Sequence, residues 1–387
     1  MPKENTYYSS IIEFDRTMKN DRLLSLDMLR GLDLFLLVAL QPVLCSALTQ
    51  LDCEVLNSTL LYQLDHAKWE GLRVWDLVMP LFMFMSGVTM PYSLPKYKNT
   101  NGNIKVWSRI IKRFVLLFLL GMVVQGNILS LDPDRVYIYS NTLQAIAVGY
   151  LLSAPIILYM KPRMWIVAVI LLLVIYSIPM HIVGDWSHQG NFACLVDKAM
   201  LGRFRDGSTI APDGTTVFAP WYDYTWIWSS ITFCCTVTLG SLAGYITKSG
   251  NSNRPATARR LFIMATVLLV AGLGAGVFQP IVKRIWSASM VLYSAGWCYL
   301  LLALFYWWID VKGHTKGCRW LLYYGCNAIT AYLIGEVINF RSVTASLFHG
   351  TEQYLQGWYP VLLTLCNSII LFLILRIMYR NKIFLKV

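Results

Sequence analysis

Histidine 66 is the side chain of this sequence best suited to acid–base chemistry. It opens the run HAKWEGLRVWDLVMPLFMF, in which Trp69, Glu70 and Asp76 lie before or at the start of an apolar stretch. An imidazole with an ordinary pKa of about 6.5 can accept a proton from an amine or a hydroxyl group and return it. A lone histidine is more often structural, and no comparable polar neighbourhood surrounds the other four, His181, His188, His314 and His349.

Two further groups of polar residues lie within apolar runs. Asp27, Arg30 and Asp33 follow one another at three-residue spacing, which places them along one face of a helix. Arg30 alone is equally well explained as a side chain reaching out from a helix end to the membrane surface. Asn327 and Glu336 lie in the run CNAITAYLIGEV, and a glutamate at membrane depth needs a cation, for which Arg30 would serve.

The run PWYDYTWIWSSITFCC combines aromatic residues with an acid. Trp221, Trp226 and Trp228 flank Asp223 just before an apolar stretch. Tryptophans at such positions commonly form a belt at the membrane surface, and they can also form a floor under a sugar ring. The belt is the more common arrangement, and the sequence leaves both interpretations open.

The elements that hold these residues are membrane helices. Of the 387 residues, 56% are hydrophobic and only 14% are charged, against about 25% charged residues in soluble domains. Runs of about 20 apolar residues recur, as a bilayer core about 30 Å thick requires. We therefore predict one all-α integral-membrane domain over residues 1–387, with about ten spans at 30–48, 74–92, 114–130, 141–160, 165–183, 226–247, 261–280, 288–309, 321–340 and 359–378.

The basic residues predict which side each loop occupies. With both termini in the cytoplasm, Lys and Arg favour the inner segments by roughly two to one. The net charge of +12 is explained by this asymmetry, so nucleic-acid binding is not expected. Residues 1–22 are then a cytoplasmic segment, without features of a cleavable signal, and 184–225 is a large outer loop. Lys283 and Arg284 lie at an outer turn against this trend, which indicates a specific partner.

Nine cysteines form no CxxC pair or zinc-type cluster, so no metal site is expected. Most lie inside apolar runs and are interpreted as small hydrophobic residues. Cys53 and Cys194 fall in outer loops, where a disulfide is possible in an oxidising compartment.

Five motifs in this order resemble the heparan-α-glucosaminide N-acetyltransferase family, particularly its bacterial members. SLDMLRG resembles SxDxxRG, and HAKWEGLRVWDLVMPLFMF resembles HAxWNGLxxxDLVFPxFxF. DYTWIWSSITFCCTVTLGSLAG resembles the DPEGxLxSI stretch, PIVKRIWSASMVL resembles PINKKLWSxSYVL, and the run from IDVKG to the terminal NKIFLKV follows the pattern. The departures, such as Glu70 for Asn and Val282 within the PINK motif, concentrate on the acceptor side.

The resemblance implies transfer of acetyl from cytoplasmic acetyl-CoA to a glucosamine-type amine across the membrane, with His66 as base or acyl carrier. The family's asparagine falls at Gln41, whose amide can orient the acyl carbonyl or the imidazole, and Asp76 completes the expected catalytic group. A multi-pass enzyme of a bacterial inner membrane and a homodimer are also implied. The expected acceptor-binding residues are Trp69, Glu70, Asp223, Lys283 and Trp286; those expected to contact CoA phosphates are Arg109, Lys112, Arg113, Arg259 and Arg260.

Three alternatives stay open from sequence. His66 can deprotonate the acceptor for direct transfer or accept the acetyl group itself; Asp65 and Glu70 nearby favour direct transfer slightly. An O-acetyltransferase of an extracytoplasmic polysaccharide needs the same base. A secondary transporter would also explain buried charges, but its paired broken helices and inverted halves are not evident.

Overall fold

The protein is an all-α, multi-pass membrane protein. The computed structural model describes residues 23–250, 252–338 and 340–385, and the predicted cytoplasmic segment 1–22 lies outside these ranges. Within them, eight helical stretches are long and apolar enough to cross a membrane. Their apolar side chains suit a hydrocarbon core, and the helical hydrogen bonds pair the backbone N–H and C=O groups that such a core cannot solvate.

We number the elements in chain order. They are α1 Leu24–Leu51, α2 Val78–Val88, α3 Met90–Val124, α4 Thr142–Tyr159, α5 Pro162–Ile182, α6 Phe192–Leu201, β1 Ser208–Ile210, β2 Thr216–Phe218, α7 Ser230–Ser249, α8 Arg254–Gly276, α9 Ala288–Phe305, α10 Leu321–Cys326, α11 Ala328–Val337, α12 Arg341–Leu347 and α13 Tyr359–Arg380. Short π-helical turns interrupt α1 at Leu36–Leu40 and extend α9 over Tyr306–Val311.

Two of the ten predicted spans differ from the helices observed. The third, 114–130, is the second part of the longer helix α3, which ends at Val124. The ninth, 321–340, is broken into α10 and α11 at Asn327, whose backbone leaves the helical region. Asparagine has a lower helix propensity than alanine or leucine, and neither polar atom of the Asn327 side chain has a hydrogen-bond partner among the described residues. The number of spans and the orientation of the termini stay predictions.

Helices α2 and α7 cross at very short distance because glycines form the contact. A methyl group added at Gly87 would overlap the carbonyl oxygen of Val237, and one added at Gly240 would overlap that of Phe84. Small residues let membrane helices approach in this way and gain dispersion contacts. The start of α2, just after the 3₁₀ turn Val74–Leu77, is therefore fixed relative to α7.

The segment predicted as a large outer loop, 184–225, is largely folded. It contains α6 and the antiparallel pair β1–β2. The buried carboxylate of Asp197 on α6 accepts hydrogen bonds from the backbone N–H of Trp226, at 2.7 Å, and of Ile227, at 2.9 Å. Burial raises the pKa of Asp197 to about 7. These bonds attach α6 to the entrance of α7.

Candidate functional site

His66 lies in the loop before α2 and is paired with a buried carboxylate. Its Nδ1 is 2.8 Å from Oδ1 of Asp76, and the Asp76 side chain is 1% exposed against 38% for His66. The other oxygen, Oδ2, accepts the backbone N–H of Ala67 at 3.1 Å and of Arg73 at 3.0 Å. The carboxylate is thus fixed, and in the tautomer with the proton on Nδ1 the ring exposes Nε2 as a free base.

Lys283 is the second partner of this pair. Its Nζ lies 3.3 Å from Oδ1 of Asp76 and 3.0 Å from Nδ1 of His66. Burial lowers the pKa of Lys283 to about 8, although the carboxylate of Asp76 opposes this change by favouring the charged amine. Nδ1 of His66 therefore has two polar neighbours, the carboxylate of Asp76 and the amine of Lys283.

Backbone contacts bring these distant segments together. Glu70 pairs with Val282 in an isolated antiparallel bridge, and the N–H of Gly71 donates to the carbonyl of Ile281 at 2.8 Å. Gly71 has a φ of +106°, a conformation that a residue with a side chain rarely adopts. The turn at Gly71 thus directs the His66 loop onto the loop that carries Lys283.

A second histidine–aspartate pair lies beside the first. Nδ1 of His188 is 2.6 Å from Oδ2 of Asp223, and the guanidinium of Arg284 donates to Oδ1 of the same carboxylate at 2.5 Å. The ring of His188 stacks on Trp69 with 4.0 Å between centroids. Consecutive residues Lys283 and Arg284 therefore each contact one histidine–aspartate pair.

His66 opens onto a cavity of about 790 Å³. Lys283 and Arg284 line it together with His66, and aromatic rings, including those of Trp221 and Tyr224, form part of its surface. Another part is polar and acidic: Gln125, Ser140, Asp206 and Glu336. Trp221 and Trp226 thus face a ligand-sized space rather than only the membrane surface, as a sugar-binding floor requires.

Of the residues predicted for catalysis and acceptor binding, His66 and Lys283 line this cavity, whereas Gln41, Asp76, Trp69, Glu70, Asp223 and Trp286 are not part of its lining. The amide of Gln41 donates to the backbone carbonyl of Leu64 at 3.3 Å, so it supports the His66 loop. Trp286 is 2% exposed, and its indole N–H donates to Oγ1 of Thr236 at 3.0 Å. Its position identifies Trp286 as a core residue under the loop, which corrects its placement at the acceptor.

The expected acidic neighbours of His66 were also wrong. Asp65 pairs with Arg73, at 3.4 Å, and Glu70 is held in the backbone bridge, so Asp76 alone supplies the carboxylate that contacts the imidazole among the described residues. The predicted cation for Glu336 was wrong as well. Arg30 lies 3.8 Å from Asp27 instead, and Glu336 faces the cavity.

The five basic residues proposed to contact CoA phosphates lie away from the cavity lining. Arg113 stacks over the ring of Tyr150 at 4.4 Å, and it precedes the cavity residue Val124 by eleven positions of α3. At 1.5 Å per residue this is roughly 16 Å along the helix. Arg109 and Lys112 lie on the same helix, and Arg259 and Arg260 lie near the start of α8.

The sequence interpretation missed several residues of the cavity region. His188 was set aside as lacking polar neighbours, yet it contacts Asp223, which lies 35 positions away in the chain. Gln125, Ser140 and Asp206 carry no pattern that marks them. Cys53 and Cys194 are both free thiols, so the suggested disulfide is not formed. Among the described residues, no group of three or more His, Cys, Asp or Glu side chains is placed to hold a metal ion.

The chain is similar to known proteins. The family model described as "Heparan-alpha-glucosaminide N-acetyltransferase, catalytic" matches residues 22–196. The heparan-alpha-glucosaminide N-acetyltransferase of mouse is 24% identical over 380 residues, covering 83% of this chain and 56% of the mouse protein. The human protein of that name is 26% identical over 326 residues, covering 70% of this chain and 48% of its own length. The chain thus spans about half the length of the curated relatives it matches.

Proposed function

Because this chain belongs to the heparan-alpha-glucosaminide N-acetyltransferase family, we propose that it transfers acetyl from acetyl-CoA to the amino group of a glucosamine-type sugar. The observation that carries the proposal is His66 at the wall of the cavity, with the buried carboxylate of Asp76 2.8 Å from its Nδ1. This contact leaves Nε2 as the nitrogen that can serve a substrate. The matched family region includes both residues.

In the direct route, Nε2 of His66 removes a proton from the sugar ammonium. The free amine then attacks the thioester carbonyl carbon, so that a C–N bond forms and the C–S bond breaks. The leaving CoA sulfur takes up one of the two protons that remain on the nitrogen. The proton on His66 is then released to solvent. Asp76 stabilises the protonated imidazole through Nδ1–H, which supports this route.

In the alternative route, Nε2 attacks the thioester carbonyl carbon first, so that a C–N bond forms and the C–S bond breaks with release of CoA as the thiolate. The free amine of the sugar then attacks the acetyl-imidazole, the bond from the acetyl carbon to Nε2 breaks, and the proton lost by the amine passes to the thiolate or to solvent. A single-turnover reaction with labelled acetyl-CoA and no acceptor separates the two. Label found on His66 would establish the acyl-enzyme route, and its absence together with rapid transfer once glucosamine is added supports direct transfer.

We propose that the donor enters from the cytoplasm and that His66 faces the opposite side, in a bacterial inner membrane. Support comes from the distance of roughly 16 Å along α3 between Arg113 and Val124. An extended thioester arm of about 20 Å could reach from basic residues at one membrane face to the cavity at the other, across a core about 30 Å thick. A homodimer is a further expectation from the family.

The test is acetyl transfer by the purified protein, with glucosamine and a hydroxyl-only sugar supplied in parallel. We expect His66→Ala to lower kcat by about 10²–10⁴-fold, the usual contribution of a general base. His349→Ala, at an exposed histidine outside the cavity lining, is the matched control and should leave kcat unchanged. Full activity of His66→Ala would refute the assignment, and acetylation of the hydroxyl-only sugar alone would favour O-acetylation.

A further inference from the structure

The acidic part of the cavity contains a buried hydroxyl group without a partner. Ser140 is 1% exposed and lines the cavity, and its Oγ has no hydrogen-bond partner among the described residues. Its own backbone N–H is satisfied, because it donates to Oε1 of Gln144 at 2.8 Å. Buried polar groups are nearly always hydrogen-bonded, so this hydroxyl at the cavity wall is available to a ligand, or to water in its absence.

A hydrogen-bond chain fixes the side chains beside Ser140. Asn141 caps α4 by accepting the N–H of Leu143 at 2.7 Å, and its Nδ2 donates to Oε1 of Gln125 at 3.3 Å. Gln125 in turn donates from Nε2 to Oδ2 of Asp206 at 3.3 Å. The amide and the carboxylate are therefore held in place before any ligand arrives, which reduces the entropy lost on binding.

Glu336 adds a second carboxylate to the lining of the same cavity. It projects from α11, after the break at Asn327, and no hydrogen bond or ion pair of the described part of the chain involves it. An ionisable residue within a membrane helix is costly unless it faces a cavity or a partner. Its oxygens accept hydrogen bonds only, so they require donors from a ligand or from water.

These side chains fit sugar hydroxyl groups better than other parts of the substrates. A hydroxyl both donates and accepts, which matches carboxylates of Asp206 and Glu336 together with the hydroxyl of Ser140. Phosphate groups of a nucleotide would be repelled by two carboxylates. The aromatic rings of Trp221 and Tyr224 in the same cavity supply apolar surface for the C–H face of a sugar ring.

We propose that Ser140, Gln125, Asp206 and Glu336 form a subsite that binds ring hydroxyl groups of the acceptor sugar and turns its amino group toward His66. The inference rests on the proposed function for the identity of the sugar. Two parts of the cavity then have separate tasks: His66, oriented by Asp76, serves the reacting amine, and the acidic subsite holds the rest of the ring.

Equilibrium binding of glucosamine, measured by calorimetry on the purified full chain without acetyl-CoA, tests the subsite directly. We expect Ser140→Ala and Glu336→Gln each to weaken binding about 5- to 20-fold, as loss of one or two hydrogen bonds to a ligand does. Asp213→Asn, at an exposed turn outside the cavity lining, is the control and should bind as the wild type does. Unchanged affinity in both cavity variants would overturn the proposal.

Steady-state kinetics add a readout that general damage to the fold would not reproduce. The KM for glucosamine should rise about 5- to 20-fold in the variants, while the KM for acetyl-CoA stays within about twofold. Equal increases in both KM values would contradict a subsite for the acceptor. A glucosamine analogue that lacks the contacted hydroxyl should bind wild type and Ser140→Ala equally well, and a persisting difference for every deoxy analogue would also refute the contact.

The two proposals can fail separately. If the wild type binds glucosamine through Ser140 and Glu336 but transfers no acetyl group to it, the subsite holds and the transfer reaction is wrong. If transfer occurs while both variants bind and react normally, the reaction holds and the subsite is wrong.

Discussion

At the residue scale, one nitrogen of His66 has two competing partners. Nδ1 can donate to Asp76 at 2.8 Å, which leaves Nε2 free to accept a proton. Nδ1 can instead accept from Lys283 at 3.0 Å, and the ring proton then lies on Nε2. Only the first tautomer is a general base toward a substrate in the cavity. In the proposed mechanism, the charge of Lys283 would therefore control what fraction of the protein holds His66 in the reactive tautomer.

This competition predicts a pH dependence of kcat. The pKa of Lys283, lowered by burial to about 8, means that the amine is charged below this pH and neutral above it. A neutral amine no longer forces Nδ1 to accept, so kcat should rise as the pH increases through about 8. Lys283→Met should lose this rise, whereas Lys283→Arg, which stays charged, should keep the lower kcat throughout.

The measurement is kcat from pH 6.5 to 9.5 at saturating glucosamine and acetyl-CoA. Using kcat rather than kcat/KM removes the ionisation of free glucosamine from the profile. An unchanged rise near pH 8 in Lys283→Met would show that another group is responsible.

At the scale of elements, the site is assembled from loops that each precede a helix. His66 lies before α2, Asp223 before α7, and Lys283 before α9. Hydrogen bonds join these loops, including that from the N–H of Thr225 to the carbonyl of Arg284 at 3.0 Å. The relative position of α2 and α7 therefore affects the catalytic group, and glycines set that position.

We predict that Gly240→Ala destabilises the fold, because its methyl group would overlap the carbonyl oxygen of Phe84 on α2. Overpacking of this kind typically costs about 1–3 kcal/mol. Thermal unfolding in detergent should show a lower Tm. Gly274→Ala on α8 is the matched control, since an added methyl group there meets open space, and its Tm should match the wild type. Equal Tm values for both variants would contradict the close crossing.

At the scale of the whole molecule, the cavity and the basic residues occupy different levels of the helix bundle. His66, Lys283 and the end of α3 share the cavity, while Arg113 lies earlier on α3. This separation suits a reaction whose donor and acceptor are kept on opposite sides of a membrane. It also makes the orientation of the chain directly testable.

We predict that the turn at Asp213 is outside and that Lys316 is in the cytoplasm; both residues are exposed. In right-side-out vesicles, a membrane-impermeant maleimide should label Asp213→Cys above the background of the native cysteines. Lys316→Cys should be labelled only after the membrane is permeabilised. The reverse pattern would show that the protein has the opposite orientation.

The sequence by itself determined the all-α membrane architecture and brought together His66 and Asp76, the pair proposed here to be catalytic. Apolar runs of about 20 residues report the environment of a helix directly, so eight of the ten predicted spans coincide with a helix long and apolar enough to cross a membrane. The short HAKWEGLRVWD motif contained both His66 and Asp76, and its resemblance to a family assigned their role. The break at Asn327 was missed, because hydropathy does not distinguish a continuous helix from two short ones.

The tertiary structure alone decided which distant side chains meet. Lys283 contacts His66 across 217 positions, and Glu336 shares a cavity with Ser140 although the two belong to separate segments. Sequence periodicity describes one helix at a time, whereas these contacts depend on how glycine-lined helices cross and how loops bond to one another. For this reason His188 was overlooked, Glu336 was given the wrong partner, and Trp286, which is 2% exposed, was predicted to bind the acceptor.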